Sequence, residues 1–202
     1  MASTSAQFPV HRTGGGPVLA WVWIGAMVVL AFLALRAGRS LPELGGALLV
    51  LSTIGPAYVW GLRPRLEENP DGLLVVNPLR DVRVPWPALS YARVGYVLRL
   101  WTVDGQEVSV FAVPRETSAQ RLRRRSPLNL PFSAAPPVPD PDPRAAGMSA
   151  AERVAYDLNE RVERDPPVPG APPMVSTWSA VALRTLAATA AAAAAGVLLM
   201  VA

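Results

Sequence analysis

The 202 residues carry 19 basic and 15 acidic side chains, one histidine and no cysteine, and 51% of them are hydrophobic. The lack of cysteine excludes disulfides and thiolate-held metals, and one isolated imidazole, His11, makes neither a metal site nor a catalytic triad. The net charge of +4 is local in origin: residues 63–177 hold 15 Arg against 14 Asp and Glu, and the surplus comes from Arg12, Arg36, Arg39 and Arg184 against Glu43. Those charges flank apolar runs, so the basicity reports membrane topology and argues against a nucleic-acid partner.

After a polar tail at 1–17, uncharged apolar runs occupy 18–35, 44–62 and 185–202. Helical runs of roughly 18–20 residues match the ~30 Å hydrocarbon core of a bilayer. The first run is too long for a signal-peptide core and is followed at once by Arg36, Arg39 and the second run. Residues 18–62 therefore read as a transmembrane hairpin and 178–202 as a C-terminal transmembrane helix. Trp21, Trp23, Tyr58, Trp60 and Trp178 are the expected interface anchors, because aromatics with a polar edge collect there. In a hairpin these clusters meet one leaflet, which puts the soluble region and the N-terminus on one side. Arg12, Arg63, Arg65 and Arg184 on that side outnumber Arg36 and Arg39 in the hairpin turn. The expectation is a multi-pass protein of the cell membrane with its soluble region in the cytoplasm. Gly55-Pro56 is expected to kink the second helix. Ala192 and Gly196, four apart, permit close helix packing.

From 63 to 115 the hydrophobic period becomes two. Strands are expected at 65–68, 73–76, 82–86, 91–94, 97–103 and 108–112, separated by turn signals such as Asn69-Pro70-Asp71-Gly72 and Asn77-Pro78. Asp104-Gly105 predicts a tight two-residue hairpin turn with positive φ. Such a meander must curl or pack on something to bury one face, and Trp86 and Trp101 are expected in its core. Residues 149–164 read as an amphipathic helix, with Ser149 and Glu152 forming a capping box. Its narrow apolar face, Ala151, Ala155, Leu158 and Val162, is suited to cover the sheet. The flanking segments, 116–148 (rich in Arg and Pro) and 165–177 (rich in Pro), read as linkers without regular hydrogen-bonded structure.

Two membrane helices followed by Arg63-Pro64-Arg65, Asp71-Gly72, Asn77-Pro78-Leu79-Arg80, Val84-Pro85-Trp86 and Asp104-Gly105 make a familiar order. It resembles the small bacterial pleckstrin-homology-like (PH-like) domains of membrane-anchored proteins from high-GC Gram-positive bacteria, over about 62–115. The resemblance implies a bent β-sheet or barrel closed at one end by a C-terminal helix, acting as a non-enzymatic interaction module. Two departures stand out: six strands instead of the seven of eukaryotic members, and a closing helix displaced by the proline-rich insert. Phosphoinositide binding is not implied, because Glu67, Glu68, Asp71 and Asp81 surround the arginines where eukaryotic members carry a dense basic cluster.

Candidate headgroup or partner contacts are Arg63, Arg65, Arg80 and Arg83, with Arg99 joining the last two along a groove, and Arg123, Arg124 and Arg125 in the linker. Each arginine near an anionic bilayer contributes about 1 kcal/mol. The plainer readings are topology determinants for Arg63 and Arg65 and solvated faces for the others. Adjacent Glu67 and Glu68 point to opposite faces of a strand. Gly14-Gly15-Gly16 lacks the Lys-Ser/Thr of a phosphate loop, and no nucleophile–base pair can be assembled. No catalytic, cofactor or metal site is expected. The sequence thus predicts an α+β membrane protein: a transmembrane hairpin, an antiparallel PH-like β-domain at 63–115 with a closing helix, and a transmembrane tail. Its expected partners are the lipid bilayer and a protein, bound by a non-enzymatic module that also contacts lipid headgroups at the cytoplasmic face. The competing reading is an accessory integral-membrane subunit of a transport or cell-envelope complex.

Overall fold

The computed structural model describes residues 10–11, 15–38, 40–114 and 148–201. In chain order, β1 (Val10–His11) precedes α1 (Gly15–Ala37), α2 (Leu41–Ser52), α3 (Ile54–Ala57) and a π-helical turn, Tyr58–Leu62. Strands β2 (Arg65–Asn69), β3 (Gly72–Val76) and β4 (Arg80–Pro85) follow, then a 3₁₀ turn, Trp86–Ala88. Next come β5 (Leu89–Val94), β6 (Val97–Thr102) and β7 (Glu107–Pro114). The chain closes with α4 (Ala150–Arg164), β8 (Val175–Trp178) and α5 (Ala180–Val201).

Three helical stretches, Gly16–Arg36, Leu41–Leu62 and Ala180–Val201, are long and apolar enough to cross a membrane. Large apolar side chains cover their outside, with Leu19 71% and Trp21 64% exposed, a surface that water does not favour. The middle stretch is broken at Thr53. Pro56 has no amide to return to the Ser52 carbonyl, and the Ser52 and Thr53 hydroxyls bond back to the Leu49 and Val50 carbonyls at 2.7 and 2.8 Å. The expected kink is therefore an interruption, completed by the π turn. α1 and α5 both pack on this middle helix. Its tightest approach is glycine on glycine: a Cβ on Gly45 would stand 2.5 Å from the Gly196 carbonyl oxygen, and one on Gly196 would stand 2.7 Å from that of Gly45. Gly196 is thus the small residue that lets α5 close, as its spacing suggested.

The β-domain has two antiparallel sheets, a larger one in the order β1-β2-β3-β4-β8 and a smaller one in the order β5-β6-β7. Their facing sides make one core: Leu66, Leu73, Val75, Val82 and Val84 against Leu89, Leu98, Leu100, Val108 and Val110. Ala151, Val154, Ala155 and Leu158 of α4 close it. The six expected strands are β2 to β7, and α4 begins at its capping box, with Ser149 N donating to Glu152 (2.7 Å) and Glu152 N to Ser149 Oγ (3.2 Å). Two expectations are corrected. The loop at Asp104-Gly105 has three residues, because Thr102 N bonds to the Gln106 carbonyl and Gly105 N to the Thr102 carbonyl, both at 3.0 Å. Only Gly105 takes positive φ (74°) there, as in a type I turn followed by a left-handed residue. The linker expected at 165–177 ends in regular structure: its prolines stop at Pro173, and β8 then pairs with β4. All four β8 side chains are exposed, so no alternation betrayed the strand. The linker expected at 116–148 lies outside the described residues except for Met148.

Both edges of the smaller sheet are sealed by asparagine side chains. Asn159 of α4 accepts from Ala92 N (2.7 Å) and donates to the Ala92 carbonyl (2.9 Å). Asn77 accepts from Phe111 N (3.1 Å) and donates to the Ser109 carbonyl (2.8 Å). An unpaired edge is a template for stray strand pairing, and each amide occupies that template locally.

Candidate functional site

Arg63 is the first residue beyond the π turn, and the chain turns there from helix into β2. Its side chain is only 5% exposed. One guanidinium nitrogen donates to the carbonyls of Asn77 and Pro78, and the other reaches Asp81 Oδ1 at 2.5 Å. A buried cation persists only when paired and hydrogen-bonded, and this one is both. Arg63 therefore joins the helix end to the β3–β4 turn and is not a surface contact for a headgroup, contrary to the expectation from sequence.

The remaining arginines separate by strand parity. The registers place Arg65, Val76, Asp81 and Thr177 in one row across the outer face of the larger sheet, and Glu67, Leu74, Arg83 and Val175 in the next. Arg65 pairs with Glu67 on its own strand. Arg83 is exposed and has no ion-pair partner among the described residues. Arg80 projects from the opposite parity, with its guanidinium 4.4 Å from the centre of the Trp178 ring. Arg99 lies on the other sheet and pairs with Glu107 at 2.9 Å. The groove expected from Arg80, Arg83 and Arg99 together is thus not formed. Arg123, Arg124 and Arg125 lie outside the described residues.

The two outer-face rows, without Glu67, floor a cleft of about 470 Å³ whose walls include Tyr58 and Val181 from the ends of the apolar helices. Tyr58 and Trp60 lie near the end of the middle stretch and Trp178 just before α5, and Gly61 packs against Ala20, next to Trp21 near the start of α1. Trp23 Nε1 also donates to Thr53 Oγ1 at 3.3 Å. All five aromatics expected as anchors are exposed, Trp178 in β8 and the other four on the apolar helices, and Tyr58 also lines the cleft.

The outer face of the smaller sheet is different. Tyr91 and Trp101 are cross-strand partners and stack at 4.7 Å with rings 9° apart. Phe111 is 55% exposed, and Arg93 stands exposed on the same face. Trp101 is therefore not core, as sequence reasoning had it: Leu98, Leu100 and Thr102 point inward and Trp101 points out. Trp86 is only half-buried. It packs against the core edge, its Nε1 donates to the Asn69 carbonyl (2.8 Å), and the Arg161 guanidinium lies 3.9 Å from its ring centre. The signal for an aromatic surface was present in the alternation of 107–112, where Phe111 shares a parity with Glu107 and Ser109.

Residues 63–152 match the family model of the bacterial PH domain. No curated protein and no solved structure matches the chain. The match runs past the 62–115 of the motif resemblance, through the linker to the first turn of α4. The matched range thus includes the capping box that starts α4, while β8 and the three apolar stretches lie outside it.

Proposed function

We propose that this chain is a membrane-anchored, non-enzymatic PH-like interaction module, with its β-domain at the cytoplasmic face, that binds a protein partner through the outer face of the smaller sheet. The observation that carries the reading is the Tyr91–Trp101 stack with Phe111. Tyr91 and Phe111 are exposed and Trp101 half-buried on one outer face, with the Arg99–Glu107 pair lying between the stack and Phe111, in a domain whose core is closed by α4 and whose smaller-sheet edges carry asparagine amides. Rigid aromatic anchors are the side chains that dominate protein interfaces. Anchoring supplies position: three apolar helices would hold the module at the bilayer, raising its effective concentration for membrane-bound partners. Arg65 and Arg83 in the cleft are the headgroup contacts this arrangement offers.

A second reading, an accessory subunit whose helices carry the contacts, is favoured by one feature. Between α1 and α5, over the broken middle helix, lies a groove of about 850 Å³ lined by residues such as Gly16, Ala20, Ala57, Gly61, Ala190 and Ala193, where a further helix could approach closely. Photo-crosslinking residues placed in the full chain at Phe111 and at Ala190 separate the two. Protein adducts from position 111 support the module, and adducts from position 190 alone overturn it. Single cysteines at Ser40 and Ser126, probed in intact cells with an impermeant thiol reagent, test the orientation. Labelling of Ser126→Cys would place the soluble region outside.

A further inference from the structure

We infer that the cleft between the larger sheet and the helix ends is a site for one monoanionic phospholipid headgroup, with Arg83 as its principal cation. The inference rests on the membrane anchoring proposed above and deepens its headgroup contact.

Of the three arginines that line the cleft, two are already paired. Arg63 is committed to Asp81 and two carbonyls, and Arg65 is committed to Glu67. Arg83 alone, exposed and without an ion-pair partner among the described residues, carries uncompensated charge. One uncommitted guanidinium matches a phosphodiester with a single negative charge. It does not match a polyphosphorylated headgroup, whose further charges would meet Asp81 and find Arg63 and Arg65 already paired. Arg65 still has Nη2 beyond the nitrogens bonded to Glu67 and to the Arg63 carbonyl, and it stands in the adjoining row, placed to share a phosphate oxygen.

The apolar half of the lining argues for a lipid over a soluble anion. Leu74, Val76 and Val175 floor the cleft, and Tyr58 and Val181 wall it from the helix ends. A free phosphate would gain nothing from these groups. A glycerophospholipid can place its phosphate on Arg83 and its glycerol and first acyl carbons along Tyr58 and Val181. The volume of about 470 Å³ lies in the range of small-ligand sites. Arg80 serves as an internal control, because it has the same charge, lies three residues from Arg83, and faces the other way, onto Trp178.

The test uses the full chain reconstituted into phosphatidylcholine bilayers with and without phosphatidylglycerol, with retained lipid read by native mass spectrometry. The unaltered protein is expected to retain phosphatidylglycerol over phosphatidylcholine. Arg83→Gln should lower that preference about fivefold, the effect of about 1 kcal/mol per arginine near an anionic surface, while Arg80→Gln leaves it unchanged. An equal loss in both variants means a diffuse basic surface and overturns the site. So does a preference untouched by Arg83→Gln, or displacement of the lipid by inorganic phosphate. A chain that fails to insert into either bilayer overturns the anchoring as well, and that result is distinguishable from loss of selectivity alone.

Discussion

The larger sheet carries arginines and carboxylates in register on its outer face, and that face is walled by the ends of the helices. The smaller sheet carries Tyr91, Trp101 and Phe111 on its outer face, with no described element above them. Chain connectivity explains the contrast. The chain enters β2 directly from the π turn and leaves β8 directly into α5, so the larger sheet is held to the helices at both ends. Its polar groups are largely spent on internal pairing, as in Arg63 with Asp81 and Arg65 with Glu67. The smaller sheet follows β4 through the 3₁₀ turn and meets the rest of the domain through its inner face and its two edges. Its surface is not used to hold the molecule together, and its aromatic content therefore needs a reason outside the described structure.

The contrast can be broken or sharpened by substitution in the full-length protein, read by thermal unfolding in detergent. Arg63→Ala should be the most damaging, at on the order of 3 kcal/mol, because it leaves Asp81 and two carbonyls without their donor. A negligible shift would mean that the larger sheet is not tied to the helices through this residue. Asn159→Ala should cost about 2 kcal/mol, since it strips two hydrogen bonds from the edge of β5 and leaves both Ala92 groups under α4 without partners. Arg161→Ala removes the guanidinium from Trp86 and should cost roughly 0.5–1 kcal/mol; a blue-shift or intensity change in tryptophan emission would accompany it. Phe111→Ser should have the smallest effect, within about 0.5 kcal/mol, as expected of an exposed site without structural partners. A loss well above 1 kcal/mol there would show that this face is covered by another part of the same chain, and the contrast between the sheets would fall.

Much of the fold was legible because its signals are local. The apolar runs, the period-two stretches from 65 to 112 and the Ser149–Glu152 capping box each declare themselves within a few residues. The site was less legible. Residues 97–103 carry apolar side chains on both parities, so the sequence could not say whether Leu98 and Leu100 or Trp101 faced inward. Pairing of β6 with Val108 and Val110 decides it. Arg63 looked like any juxtamembrane arginine, and its burial depends on three acceptors 14 to 18 residues away.

By itself the sequence determined the main helices and the strands β2 to β7, where α4 starts, and that three stretches have the length and apolarity to cross a membrane. These follow from periodicity, capping and hydrophobicity, which act over one or two turns of chain. Only the tertiary structure decided that Arg63 is internal, that Trp101 lies half-buried on the outer face of its sheet, that asparagine amides bond the edges of the smaller sheet, and that β8 returns to β4. Each of those depends on partners brought together across long separations, Asp81 and Thr177 being 96 residues apart. Register and burial, which no local pattern encodes, then fix which face a side chain occupies.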